Sequence, residues 1–328
     1  MNIVFLGSGA FGIPSLRTFA EEKEGGGHKI LHIISQPDRP AGRGKHLTPT
    51  PVSAFAMEHA IPLTRTDNAN APEILQLLRK LKPDCLVVIA FGQKLSEELL
   101  AIAPHRAINL HSSLLPKYRG AAPINWTIIN NDPVAGVCVI DVVSKMDAGD
   151  ILAAAFTPTV SSETAGELHD CLAELGSPLI PQVLNQLAAN TLIRTPQDHA
   201  LATRAPKLSR ELAWIDFNQS AAVVSARIRG LAPWPGVQVQ LTDVQGKPRT
   251  VVTILKCQAS SSDHAHPSEQ RGMVLPDKTV ACAVGSVEIL AVQPQGKKPM
   301  DLVAFANGYG YGPGARLSSL VAVPGIER

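Results

Sequence analysis

Asn109 and His111 stand two residues apart at the end of an apolar run that reaches Leu110, and in an extended chain residues so spaced point to the same face. A side-chain amide and an imidazole converging on one carbonyl would stabilise a developing oxyanion and relay a proton. An isolated Asn-x-His is ordinarily a hydrogen-bonded strand end. What lifts this one above that reading is a second polar loop, Ser144-Lys145-Met146-Asp147-Ala148-Gly149-Asp150, after the next apolar run. If both runs are strands of a parallel sheet, the loop emerges at the same edge, where a carboxylate could orient the imidazole or favour its charged form. Asp147 and Asp150 both compete for that role. Asp147 precedes a flexible Ala-Gly pair, whereas Asp150 opens the next strand and could cap it. Asp141 lies inside a strand and reads as structural.

Other chemistries fit poorly. Gly7-Ser8-Gly9-Ala10-Phe11-Gly12 matches G-x-G-x-x-G, yet the second strand ends Ile33-Ile34-Ser35-Gln36 without the acid that a dinucleotide ribose requires, so the motif reads as a tight strand-to-helix turn. The loop 36–51 carries Arg39, Arg43 and Lys45 against Asp38 alone; it is no Walker A loop, because the first glycine would fall at Arg39 and His46 follows Lys45. Such a loop is usually solvated surface, but its place beyond the second strand points to an anionic substrate. No His, Cys or Glu spacing resembles a metal site, so none is expected. Neither Ser112 nor Ser113 lies in G-x-S-x-G. The five cysteines form no CxxC pair and are odd in number, which argues against a disulfide framework.

These residues need a frame. Apolar runs at 2–6, 29–34, 84–90, 106–110 and 134–143 alternate with helical patterns near 12–23, 50–59, 72–81 and 120–130, the grammar of an α/β domain with a mostly parallel sheet. Leu168, Leu172, Leu175, Leu179, Val183 and Leu187 add one apolar stripe, which Pro178 and Pro181 should break or kink. From 190 to 206 the pattern dissolves into a Thr/Pro-rich linker. After one helix near 220–229, short apolar runs divided by Gly, Pro, Asp and Ser suggest a small OB-like β-barrel. The expected division is therefore 1–189, a linker at 190–206, and 207–328.

Composition sets the outer bounds. Of 328 residues 45% are hydrophobic and 18% charged, enough apolar side chain for a large core and too little like charge for a disordered chain. Runs such as 85–91 fall far short of the roughly 20 residues that cross a bilayer, and the N-terminus has no secretory or transit pattern, so a cytoplasmic protein is expected. Residues 1–206 carry 17 Lys and Arg against 19 Asp and Glu, while 207–328 carry 13 against 9. That basic second part hints at a polyanionic partner.

The runs Asn109-Leu110-His111 with Ser113-Leu114-Leu115-Pro116, Tyr118-Arg119-Gly120-Ala121-Ala122-Pro123-Ile124 and Met146-Asp147-Ala148-Gly149-Asp150 closely resemble the methionyl-tRNA formyltransferases, and the likeness extends along nearly the whole chain. The segment 36–45 resembles that family's tRNA-contacting loop. Lys207-Leu208 with Ile215-Asp216, Arg227-Ile228-Arg229-Gly230 with Pro233-Trp234-Pro235-Gly236, and Gly296-Lys297-Lys298-Pro299-Met300 resemble signatures of its C-terminal domain. The chain departs from the family at Gly7-Ser8-Gly9, where Gly-Thr-Pro is usual, at Gly12 in place of Ala, and at Phe217 in place of Trp.

The resemblance implies a Rossmann-like formyltransferase domain followed by an OB-like tRNA-binding domain, acting as a monomer on methionyl initiator tRNA with 10-formyltetrahydrofolate as co-substrate. It implies Asn109, His111 and Asp147 as catalytic residues, and folate contacts from Phe91, Gly92, Ser113, Leu114, Leu115, Pro116 and Asp147. For the tRNA it implies Arg39, Arg43, Lys45, Lys207, Arg227, Arg229, Lys297 and Lys298. Methionine's α-amine would attack the formyl carbon through an oxyanion-stabilised tetrahedral intermediate. Two other classes share parts of this pattern: a formyltransferase acting on a small amine, such as a glycinamide ribonucleotide or an amino sugar nucleotide, and a non-enzymatic nucleic-acid binder built on the second domain.

Overall fold

A computed structural model describes residues 1–21, 27–41, 46–260 and 262–324. In chain order the first strands and helices are β1 (Asn2–Gly7), α1 (Ile13–Glu21), β2 (Lys29–Ser35), β3 (Arg39–Ala41), β4 (His46–Thr48), α2 (Pro51–Glu58), β5 (Leu63–Arg65), α3 (Pro72–Leu81), β6 (Cys85–Ile89) and α4 (Glu97–Leu100). They are followed by β7 (Ala107–His111), β8 (Arg119–Gly120), α5 (Pro123–Ile129), β9 (Val134–Asp141), β10 (Ile151–Pro158), α6 (Ala165–Gly176), α7 (Leu179–Ala188) and β11 (Arg204–Ala205). The remaining elements are α8 (Ala221–Gly230), β12 (Val237–Thr242), β13 (Pro248–Ala259), β14 (Val280–Ala281), β15 (Ser286–Pro294), β16 (Met300–Asp301), α9 (Leu302–Tyr309) and β17 (Arg316–Ser319).

Contacts divide the chain into two compact units: Met1–Gly120, Gly136–Thr157 and His169–Arg204 form one, and Ala121–Ala135, Pro158–Leu168 and Ala205–Arg328 form the other. The first unit is built on a seven-stranded sheet of order β10-β9-β7-β6-β1-β2-β5. Its inner strands are buried on both faces, with Ile3, Val4, Phe5 and Leu6 of β1 and Cys85 through Val87 of β6 fully inaccessible. That double burial is why they read as continuous apolar runs rather than alternating ones. Helix starts follow local chemistry: Thr50 accepts the Ser53 N–H at 3.0 Å, with Pro51 as the first helical residue of α2. The apolar stripe breaks at Ser177-Pro178 between α6 and α7. Pro181 is tolerated in the first turn of α7, where a backbone N–H has no intrahelical acceptor.

One strand runs against the expected direction. β1, β2, β6 and β7 are parallel neighbours, but β9 is antiparallel to β7, with Ile108 opposite Asp141 and His111 opposite Cys138. The carboxyl end of β9 therefore lies beside the amino end of β7, and the loop 142–150 does not leave at the edge where His111 sits. This corrects the parallel route expected for that loop.

The second unit holds the sheet β14-β15-β13-β12-β17, with β16 paired to β15. Bridges from Met273 to Arg316 and from Val274 to Val280 link its two ends, which makes it a nearly closed antiparallel barrel. Its core gathers Val237, Val239, Leu241, Val252, Ile254, Ile289 and Phe305, with α8 packed against β13. Helix α5 belongs here: Trp126 and Ile129 pack on this core, and Asn125 Nδ2 donates to the Gly230 carbonyl at 2.8 Å. A Cβ at Gly230 would come within 2.5 Å of Ile129, so glycine permits the close approach of α5 and α8. Among the described residues no helix is long and apolar enough to cross a membrane.

Candidate active site

Strand β7 delivers Asn109 and His111 to one face, and the loops that follow surround them. The His111 ring is buried, and its Nε2 lies 3.0 Å from the Tyr118 carbonyl oxygen. A carbonyl only accepts, so Nε2 carries the hydrogen and Nδ1 of the neutral ring presents its lone pair. That Nδ1 faces Asp147 Oδ1 at 3.7 Å, too far for a direct hydrogen bond. The other carboxylate oxygen, Oδ2, accepts the Gly120 N–H at 2.9 Å. Asn109 is half-buried, and its amide has no hydrogen-bond partner among the described residues.

Asp147 reaches this place although β9 points away from it. From Asp141, opposite Ile108, the chain must return about 10 Å along the sheet to come level with His111. The loop closes on itself where the Asp141 N–H donates to the Asp150 carbonyl at 3.0 Å. At Gly149 a Cβ would overlap the Asp141 carbonyl, which explains the glycine in Asp-Ala-Gly-Asp. Asp147 itself has φ +51°, the left-handed region that favours glycine, so its conformation must be held by its surroundings. Of the two acids open to sequence reasoning, Asp147 faces the imidazole. Asp141 instead pairs with Arg194 at 2.9 Å.

Apart from Asp147, the residues expected to meet a folate lie on the loops leaving β6 and β7, which are neighbours in the sheet. Phe91 is buried and its carbonyl accepts Gln36 Nε2 at 2.7 Å; Gly92 has φ +74°. Ser113 Oγ donates to the Lys117 carbonyl at 2.7 Å and closes the 113–117 turn. Leu115 packs with Cys138 and Ile140, Leu114 presses on Gly136, and Pro116 is half-buried. The Gly7-Ser8-Gly9 turn is held by the Ser8 and Gly9 N–H groups on the Ala90 carbonyl, both at 3.3 Å.

The basic residues divide. Arg39 is exposed and donates to Gln36 Oε1 at 2.7 Å. Arg43 and Lys45 lie outside the described residues. Lys207, Lys297 and Lys298 are exposed on the second unit. Arg227 stacks 3.4 Å over the Trp214 ring and donates to the Trp214 and Leu212 carbonyls at 2.7 and 2.6 Å; burial pulls its pKa down to about 10. Arg229 is buried, donating to the Glu163 carbonyl at 2.9 Å, Ser225 Oγ at 3.3 Å, Asn131 Oδ1 at 3.4 Å and the Val160 carbonyl at 3.5 Å. With four of its five N–H groups so committed and the residue only 5% exposed, Arg229 has little left to offer a phosphate. The signal was available: Ala221, Ser225, Ile228 and Arg229 fall on one helical stripe with the core.

Sequence reasoning assigned nothing to the Tyr118 carbonyl, the Gly120 N–H or the side chains of Arg119 and Gln197, all of which bear on the His111–Asp147 pair. Among the described residues no three His, Cys, Asp or Glu side chains gather as a metal set.

Known proteins share both the sequence and the fold. Residues 1–184 match the formyl transferase family model and residues 207–310 the formyl transferase C-terminal domain model. A methionyl-tRNA formyltransferase of Citrifermentans bemidjiense is 38% identical over 326 residues, covering 99% of both chains, and one of Geobacter sulfurreducens is 36% identical, covering 98% of both. An N-formyltransferase from Helicobacter canadensis, solved with folinic acid and dTDP-3-aminofucose, has a TM-score of 0.62 at 16% identity, covering 89% of this chain and 98% of its own. That last likeness establishes the fold alone. The chain belongs to the methionyl-tRNA formyltransferase family and is a one-carbon formyl transferase.

Proposed function

Starting from that membership, we propose that the protein transfers the formyl group of 10-formyltetrahydrofolate to the free α-amine of methionine on initiator tRNA. The observation that carries the mechanism is the split of the His111 ring: Nε2 is tied to a backbone carbonyl, and Nδ1 faces a carboxylate. A peptide α-amine has a pKa of about 8, and esterification lowers it, so a neutral fraction is present near neutral pH. The amine nitrogen attacks the formyl carbon and the carbonyl oxygen takes the negative charge, which the Asn109 amide N–H stabilises. Nδ1 of His111 removes the proton released from the attacking nitrogen, and Asp147 stabilises the imidazolium so formed. Collapse of the intermediate breaks the bond to N10 of the folate, and the imidazolium returns the proton to that nitrogen. No covalent enzyme intermediate is involved.

Phe91, Gly92, Ser113 to Pro116 and Asp147 would contact the folate, and Arg39, Arg43, Lys45, Lys207, Lys297 and Lys298 the tRNA, with Arg227 and Arg229 contributing only what their internal hydrogen bonds leave free. The test is parallel formyl transfer from labelled 10-formyltetrahydrofolate to charged initiator tRNA, to glycinamide ribonucleotide and to an amino sugar nucleotide. Transfer to the charged tRNA, abolished by His111→Ala, is the expected result. Turnover confined to a small amine would overturn the substrate, and full activity of His111→Ala would overturn the mechanism.

A further inference from the structure

Gln197 sits in the stretch that reads as a linker, yet it is buried, and its amide grips the loop that carries Asp147. Nε2 donates to the Asp147 carbonyl at 2.9 Å and to the Gly149 carbonyl at 2.7 Å. On its other side Oε1 accepts from Arg119 Nε at 3.1 Å and Nη2 at 2.5 Å. Carbonyls accept and a guanidinium only donates, so these four contacts permit one orientation of the amide. Arg119 Nη2 lies 2.9 Å from His199 Nδ1, which is therefore the unprotonated ring nitrogen.

The result is a two-sided hold on one residue. Gly120 takes the Asp147 carboxylate by its N–H, while its neighbour Arg119, through Gln197, fixes the Asp147 backbone. Asp147 has a left-handed φ that a residue with a side chain keeps only when its surroundings over-determine it. Without the two donors of Gln197 the loop relaxes, and the carboxylate leaves the imidazole. We propose that Gln197 is a positioning residue for formyl transfer, acting through Asp147, with Arg119 as its brace. The inference rests on the catalytic reading of Asp147 under the proposed function.

A double-mutant cycle tests it, using Gln197→Met, which keeps the length and removes the polar atoms, with Asp147→Asn. Thermal unfolding establishes that each variant folds. The expected result for Gln197→Met is a loss of kcat on the order of 10- to 100-fold, the scale of a displacement of about 1 Å at a reacting group. KM for both substrates should change little, and the acidic limb of the pH-rate profile should move in the same direction as for Asp147→Asn. In the Asp147→Asn background the same change should cost less than about twofold, because the interaction it supports is gone. Undiminished kcat in folded Gln197→Met, or losses that multiply in the double variant, would overturn the proposal. If Gln197→Met does not fold, Gln197→Asn serves: one methylene short, it should lose kcat by an intermediate factor, and wild-type kcat there overturns the proposal too. Full activity of Asp147→Asn would instead defeat the catalytic reading of Asp147 itself, an outcome distinct from a failure at Gln197 alone.

Discussion

The end of β7 and the end of α8 both gather polar side chains, and they use them in opposite ways. At β7, Asn109 leaves its amide without a partner among the described residues, and His111 commits one ring nitrogen while leaving the other open. At α8, Arg229 turns inward and donates to two carbonyls, a hydroxyl and an amide oxygen. Residue type alone nominates all of these groups for function. What separates them is the hydrogen-bonding capacity that folding leaves unfilled, because a group already satisfied by the protein gains little from a ligand.

The sharpest way to break this contrast is His111→Ala. Loss of the relay should slow turnover by about 10²- to 10⁴-fold with little change in Tm, read by steady-state kinetics and thermal unfolding. Asn109→Ala should cost about 10²- to 10³-fold in kcat, the usual loss for one oxyanion donor, again with the fold intact. Arg229→Ala should do the reverse: a fall in stability of about 2–4 kcal/mol in denaturant titration, from buried acceptors left unpaired, with the salt dependence of tRNA binding unchanged. A smaller change in Arg229→Ala together with a flatter salt slope would return Arg229 to the phosphate-binding set. Ser220→Ala removes the cap that accepts the Val223 N–H of α8 at 3.4 Å and should cost about 1 kcal/mol without touching turnover. Lys298→Ala should leave stability alone and lower the magnitude of the salt slope of tRNA binding by about one if it meets a phosphate.

Legibility in the sequence followed burial. β1, β2, β6 and β7 were readable because strands buried on both faces of a parallel sheet are mostly apolar. β17 was not, since Arg316-Leu317-Ser318-Ser319 carries little β signal of its own and becomes a strand by pairing with β12. Helix α9 escaped for a similar reason: its start depends on Asp301 accepting the Ala304 N–H, and its end on Gly310 at φ +75°, two local cues inside a segment rich in Gly and Ala. At the site, Asn109 and His111 were legible through the period of two along a strand. Asp147 faces His111 by another path than the one expected, because nothing in its flanking residues states that β9 runs antiparallel. Gln197 was illegible: it sits in a Thr-Pro-Gln-Asp run, and its partners lie 78 and 50 residues away in the chain. Residues 190–204 look like connection by composition, yet the bridge of Thr195 to Ile151 and the Arg119 N–H on the Thr203 carbonyl at 2.9 Å fix them in the fold.

The bond from His111 Nε2 to the Tyr118 carbonyl also bears on what water can reach. The ring is 6% exposed, and its Nε2–H points at a backbone oxygen rather than at solvent, so that hydrogen should exchange slowly and give its own resonance in a proton spectrum. A hydrogen taken up on Nδ1 when the ring accepts a proton should exchange fast and broaden beyond detection. A single imidazole thus carries a sheltered reporter and a mobile proton on the same ring, and the chemical shift of the first records the charge state set by the second.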